Sequence, residues 1–184
     1  MLKKILLIPF IYLLVSFTGG TANADFKVSN GNIFFKSDAI LELIKAQSSG
    51  LKGIIVVEKK QFAFIVSIKS FKGFNSPLQL EHFNENYMES NKYPTASFEG
   101  KIIEDLDLTK DGVYMVRSKG NLTIHGVAQE RIIKSEIIVK NTAISFTSNF
   151  TVLLSDHNIP IPKVVHQKLA SEIKVDITAD LVTQ

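Results

Sequence analysis

The 184-residue chain contains no cysteine and no tryptophan, five prolines and four histidines. Without cysteine there is no disulfide, no thiol redox chemistry, no thiolate metal site and no cysteine to carry a lipid anchor. The histidines, His82, His125, His157 and His166, make neither H-E-x-x-H nor H-x-H, so no metal site is expected. G-x-S-x-G and phosphate-cradling glycine loops are missing too, which removes α/β-hydrolase and nucleotide-binding readings, and no cofactor is expected. Lysine and arginine total 21 against 18 acids, but they are scattered, with no basic block of the kind that tracks nucleic acid.

What is present begins with an export pattern. Lys3 and Lys4 precede an apolar run over residues 5–17, and Ala22-Asn23-Ala24 offers a small-x-small cleavage site before Asp25. Thirteen residues fall short of the roughly 20 needed to span a bilayer, so a cleaved signal is expected rather than a stable membrane anchor. Removing residues 1–24 removes two lysines and no acids, lowering the formal charge from +3 to about +1. Residues 25–184 then form one domain, expected to be soluble and periplasmic or secreted, and large enough for its own core.

That domain reads as period-2 alternation. Phe62, Phe64, Val66 and Ile68 share one face, as do Ile144, Phe146, Ser148, Phe150, Val152 and Leu154, and Ile173, Val175, Ile177, Ala179 and Leu181. Further strands are expected near 33–36, 53–58, 97–104, 113–127 and 130–139, with turns at Ser49-Gly50, at residues 58–60, at Lys110-Asp111-Gly112 and at Lys140-Asn141. One segment differs. Ser76 as N-cap and Pro77 in the first turn start a helix in which Leu80, Phe83 and Tyr87 recur at helical spacing beside Met88. It is expected over residues 77–89, since the residue before Pro94 disfavours a helix, and a second short helix is an alternative near 163–171.

About eight antiparallel strands with one apolar face each form either a sandwich or a closed barrel. Small residues interrupt two of the apolar faces: Gly100 beside Phe98 and Ile102, and Ser118 and Gly120 in phase with Tyr114, Val116 and Leu122. They either leave an internal cavity or only permit bends that close the sheet.

Three segments bear on this choice. His82-Phe83-Asn84, then Lys92-Tyr93-Pro94-Thr95-Ala96-Ser97-Phe98, then Gly120-Asn121-Leu122-Thr123-Ile124-His125-Gly126-Val127 follow the order H-F, K-Y-P-x-x-x-F and G-x-L-T-[IL]-H-G-V. Together they resemble the YceI-like family of bacterial lipid-binding proteins, over nearly all of residues 25–184. The first strand lacks the family's frequent tryptophan, and the run from Asn158 to Val165 departs from its usual end. The resemblance implies an all-β, lipocalin-like barrel of about eight antiparallel strands with an internal apolar cavity. It also implies a polyisoprenoid-type ligand, such as a prenyl phosphate or prenylated quinone.

The resulting expectation is an exported, non-enzymatic protein that carries or sequesters a long isoprenoid lipid. Phe62, Phe64, Phe98, Tyr114, Phe146 and Phe150 from the strands, and Phe83, Tyr87 and Met88 from the helix, are the candidate cavity lining. Gly100, Ser118 and Gly120 are the small residues expected to make room. Phenylalanine and methionine suit a flexible hydrocarbon because they ask for no hydrogen bond. Two other readings stand beside this one: an envelope enzyme using His82 and Glu85 at the cavity mouth, and a filled barrel acting as a stress or interaction module. The oligomeric state is left open, a dimer among the alternatives.

Overall fold

The computed structural model describes residues 25–183 other than 109 and 142. The expected signal and most of its cleavage site lie outside these residues. Nine antiparallel strands run in chain order: β1 (Phe26–Asp38), β2 (Leu43–Ser48), β3 (Lys52–Val56), β4 (Gln61–Ser67), β5 (Thr95–Ile102), β6 (Gly112–Ile124), β7 (Val127–Lys140), β8 (Ala143–Leu153) and β9 (Glu172–Thr183). Each pairs with its sequence neighbour from β3 onward, and β1 pairs with β9 to close the sheet. On its other edge β1 pairs first with β3, through Phe26 and Lys27, and then with β2, from Ile33 to Asp38. Two short strands thus share one position, and nine strands make an eight-stranded closed barrel.

The alternation read from the sequence sets the inward face. Ile144, Phe146, Ser148 and Val152 of β8 are buried, as are Phe62 and Val66 of β4 and Ala179 and Leu181 of β9. β2 was not expected, because only Ile44 and Ala46 mark its inner face and its outer face is as apolar at Leu43. β1 also begins earlier than expected, since Asn30-Gly31 and the register shift between Val28 and Asn30 break its pattern.

The two ends of the barrel differ. At one, Leu108 between β5 and β6 packs into the core, which there includes Phe26, Val139, Ile144 and Leu181. At the other stand the β1–β2 loop, the β6–β7 hairpin, the β8–β9 connection and the long β4–β5 connection. The last carries the helix α1 (Pro77–His82), with Ser76 as N-cap accepting the Gln79 N–H. Beyond α1 the chain widens into a π-helical turn, Phe83–Tyr87, with the Met88 N–H donating to the Phe83 carbonyl at 2.9 Å. Glu89, at φ +42°, then reverses the chain. The expected second helix reduces to one 3-10 turn, Lys163–Val165.

The β6–β7 hairpin corrects the expected continuous strand over 113–127. His125 and Gly126 both have positive φ, +52° and +73°, the conformation that a two-residue hairpin turn requires.

Candidate functional site

The inward faces and the helix enclose a cavity of about 500 Å³ that opens at the helical end. Its wall is drawn from Ile33 and Phe35 of β1, Phe62, Phe64 and Val66 of β4, Phe98 of β5, Phe146, Phe150 and Val152 of β8, and Ile173, Val175 and Ile177 of β9. Serines also reach the wall, Ser148 within the barrel and Ser37 near its helical end. Ser148 donates to the Lys134 carbonyl at 2.9 Å, and Ser37 accepts the Ala170 N–H at 2.9 Å, so both are satisfied within the protein. At the mouth the wall includes Glu42, Gln79, His82 and Lys168. A volume within about 300–1,000 Å³, mostly apolar with a few polar groups near one opening, is what a small-molecule site offers.

Phe62, Phe64, Phe83, Tyr87, Met88, Phe98, Phe146, Phe150 and Ser118 all border this space. Phe83 is held there by aromatic neighbours, stacked on Phe35 at 5.5 Å and tilted against Phe74 at 4.9 Å. Phe71 lies edge-on to it at 5.9 Å. Phe35, Phe71 and Phe74 were missed, the last two because they flank Gly73 in a connection with no period to read. The π turn sets the face: it pairs Phe83 with Met88 five residues on, while Leu80, grouped with them at helical spacing, does not border the cavity. Met88 also packs on Ile68, Leu154 and Ile159, anchoring the helical segment to the barrel rim. Burial first, and then the nearby Glu42 carboxylate, push the Tyr87 phenol above its ordinary value.

Three expected site residues do not fit the cavity. Tyr114 faces inward but lies toward the filled end, where its hydroxyl donates to the Lys110 carbonyl at 2.9 Å. Gly100 and Gly120 face each other across β5 and β6 and do not border the cavity. A Cβ on Gly100 would overlap the Lys119 carbonyl oxygen and lie 2.5 Å from the Gly120 Cα; one on Gly120 would overlap the Glu99 carbonyl oxygen. These glycines let two strand backbones approach closely, so the space-making reading does not hold for them.

His82 borders the mouth, yet among the described residues no hydrogen bond joins it to Glu85, and both are exposed. The polar network lies elsewhere. His125 Nε2 meets Glu89 Oε2 at 2.7 Å, its Nδ1 meets the His157 carbonyl at 3.2 Å, and Tyr93 lies edge-on to its ring at 4.6 Å. Tyr93 also packs so closely on Gly126 that a side chain there would strike its ring. This network stitches three connections together and does not border the cavity. Among the described residues no group of three or more His, Asp or Glu could hold a metal, and no helix is long and apolar enough to cross a membrane.

The YceI-like domain family matches residues 15–181. The chain belongs to the YceI-like family. Its H-F segment places Phe83 on the cavity wall, whereas its K-Y-P and H-G segments supply Tyr93, His125 and Gly126 to the stitched rim. Solved structures share the fold at low identity. A polyisoprenoid-binding domain from Saccharophagus degradans, described as implicated in plant cell wall breakdown, is 13% identical with a TM-score of 0.73, covering 86% of this chain and 98% of its own. Burkholderia cenocepacia BcnA is 12% identical with a TM-score of 0.66, covering 82% and 95%. The Campylobacter jejuni YceI protein is 17% identical with a TM-score of 0.54, covering 97% of both chains. No curated protein matches by sequence. Family and fold agree on a YceI-like barrel.

Proposed function

We propose that this protein carries or sequesters a long isoprenoid-type lipid, a prenyl phosphate or a prenylated quinone, without transforming it. The apolar cavity of about 500 Å³ inside the barrel is the observation that carries the reading. It argues against a filled-barrel module, and the absence of a hydrogen bond between His82 and Glu85 argues against a positioned acid–base pair. Chain length follows from magnitudes. Each five-carbon unit contributes at most roughly 4 kcal/mol on burial, at about 0.8 kcal/mol per methylene. Association costs roughly 4–15 kcal/mol, so several units are needed before binding is tight. The Saccharophagus neighbour, described as polyisoprenoid-binding, supports this ligand class.

Titration of delipidated protein with prenyl alcohols of increasing length tests the reading. Affinity should climb with each added unit until the cavity is full, then level off. Length-independent affinity would refute it. Turnover of a bound lipid that is lost in His82→Ala would support the enzyme reading instead.

The same proposal places the protein beyond the inner membrane, released from a cleaved leader and without an anchor. The support is Lys3 and Lys4, the short apolar run and Ala22-Asn23-Ala24. N-terminal sequencing of the envelope protein should read from Asp25, and an intact Met1 would overturn this part.

A further inference from the structure

The cavity mouth is rimmed by apolar side chains left uncovered in this fold. Ile40 and Leu41 stand on the β1–β2 loop, Leu78 on α1 and Val164 on the 3-10 turn; Ile40 is 86% and Val164 89% exposed. Single exposed aliphatics are ordinary, but four gathered at one end of a barrel form a patch that calls for a partner. The three segments bearing them are tied together. The Leu41 N–H donates to the Gln167 carbonyl at 2.8 Å, Gln79 Nε2 donates to Glu42 at 2.9 Å, and Asn75 Nδ2 donates to the Leu43 carbonyl at 3.0 Å. Each segment also contributes to the cavity wall, through Glu42, Leu78 and Val165 respectively. The exposed rim is therefore continuous with the cavity interior.

A basic collar lies behind it. Lys45, Lys36 and Lys174 stand side by side across β2, β1 and β9. They surround Asp38, whose carboxyl is held below its ordinary value first by the hydrogen bond from Lys36 and then by these charges. Lys163 precedes Val164 in the β8–β9 connection, and Lys168 of the same connection stands at the cavity mouth. Aliphatic prongs in front of lysines match the layering of an anionic bilayer, with acyl chains beneath phosphate headgroups.

We propose that this end of the barrel docks reversibly on an anionic lipid bilayer. The four aliphatic side chains enter the boundary between headgroups and acyl chains while the lysines meet phosphates. A lipid then passes between bilayer and cavity without crossing water. The proposal rests on the cavity being a lipid site, and its test reads docking and lipid content separately.

Because the sequence has no cysteine, a single engineered one labels one place. The environment-sensitive fluorophore NBD would be attached to full-length Ile40→Cys and Val164→Cys, and to Met115→Cys, an exposed site on the barrel wall in β6. Vesicles of phosphatidylethanolamine and phosphatidylglycerol are then added. Emission from both rim labels should move to the blue and brighten at least twofold, less so at high salt, while the Met115 label stays unchanged. Silent rim labels, or an equal response at Met115, would overturn the proposal. So would a rim response that needs only higher protein concentration, which would mark a contact between copies of this chain. Native mass spectrometry of the same samples separates the two claims. Rim labels that respond in a protein holding no lipid sink the cavity reading alone. Lipid-loaded protein with silent rim labels sinks docking alone.

Discussion

Gly100→Ala separates backbone necessity from space-making at the β5–β6 contact. The added methyl would overlap the Lys119 carbonyl oxygen and come within 2.5 Å of the Gly120 Cα, so the two strands must part locally. Overpacking of this kind costs roughly 1–3 kcal/mol. Against it, alanine restricts the unfolded chain and returns roughly 0.4–1 kcal/mol. The net expectation is about 1–2 kcal/mol of lost stability, or a Tm lower by about 2–8 °C for a domain of this size. Gly120→Ala should cost a similar amount. Because one parting of the strands relieves both clashes, the double variant should lose less than the sum of the two. Circular dichroism melts measure this, with lipid content per folded molecule read alongside and expected to be unchanged. An unaltered Tm together with lost lipid would refute the reasoning and restore the space-making role.

Ser118→Leu places a larger apolar side chain on the cavity wall itself and should reduce bound lipid while the Tm holds; undiminished lipid would mean that the ligand avoids that wall. Phe150→Asp puts a carboxylate into the same apolar space and should unfold the barrel or empty it, at roughly 3–5 kcal/mol, whereas Thr151→Asp on the opposite face should be tolerated in the same melts. Glu104 accepts the Arg117 backbone N–H at 2.6 Å and its Nε–H at 2.7 Å, which hold its carboxyl below the ordinary glutamate value. A lowered folded value gives stability that is complete above the unfolded value of about 4.3 and lost as pH falls through the folded one. Glu104→Gln should therefore cost about 0.5–1 kcal/mol near neutral pH, and the deficit should vanish on acidification; a deficit independent of pH would contradict the assignment.

The strands that alternate cleanly, β4, β8 and β9, were legible because each presents one apolar face to a core and the other to water. β2 was not, since two aliphatics in six residues leave no period to read. The helix start was legible from Ser76-Pro77, whose chemistry is local. Its course beyond Phe83 was not, because the π turn comes from how Met88 packs on Ile68 and Leu154 rather than from helical spacing. His125-Gly126 illustrates a different limit. In a line of sequence it continues the β6 alternation, and only its packing under Tyr93 and its bond to Glu89 require the turn. The cavity followed the same division. Aromatics on the cleanly alternating strands were found, Phe35 of the interrupted β1 and Phe71 and Phe74 in an irregular connection were not, and Tyr114 had the correct face but the wrong end. Gly100 and Gly120 show why a small residue is ambiguous in sequence: only the strand pairing tells whether the missing side chain makes room for a ligand or for a neighbouring backbone.

The central claim is that the barrel holds an isoprenoid lipid, and native mass spectrometry of protein isolated from the cells that make it tests that claim most directly. The account predicts a one-to-one adduct, released on activation in the gas phase, whose fragments step down by isoprene units. Protein that arrives empty, or carries only fatty-acyl phospholipid, would contradict it.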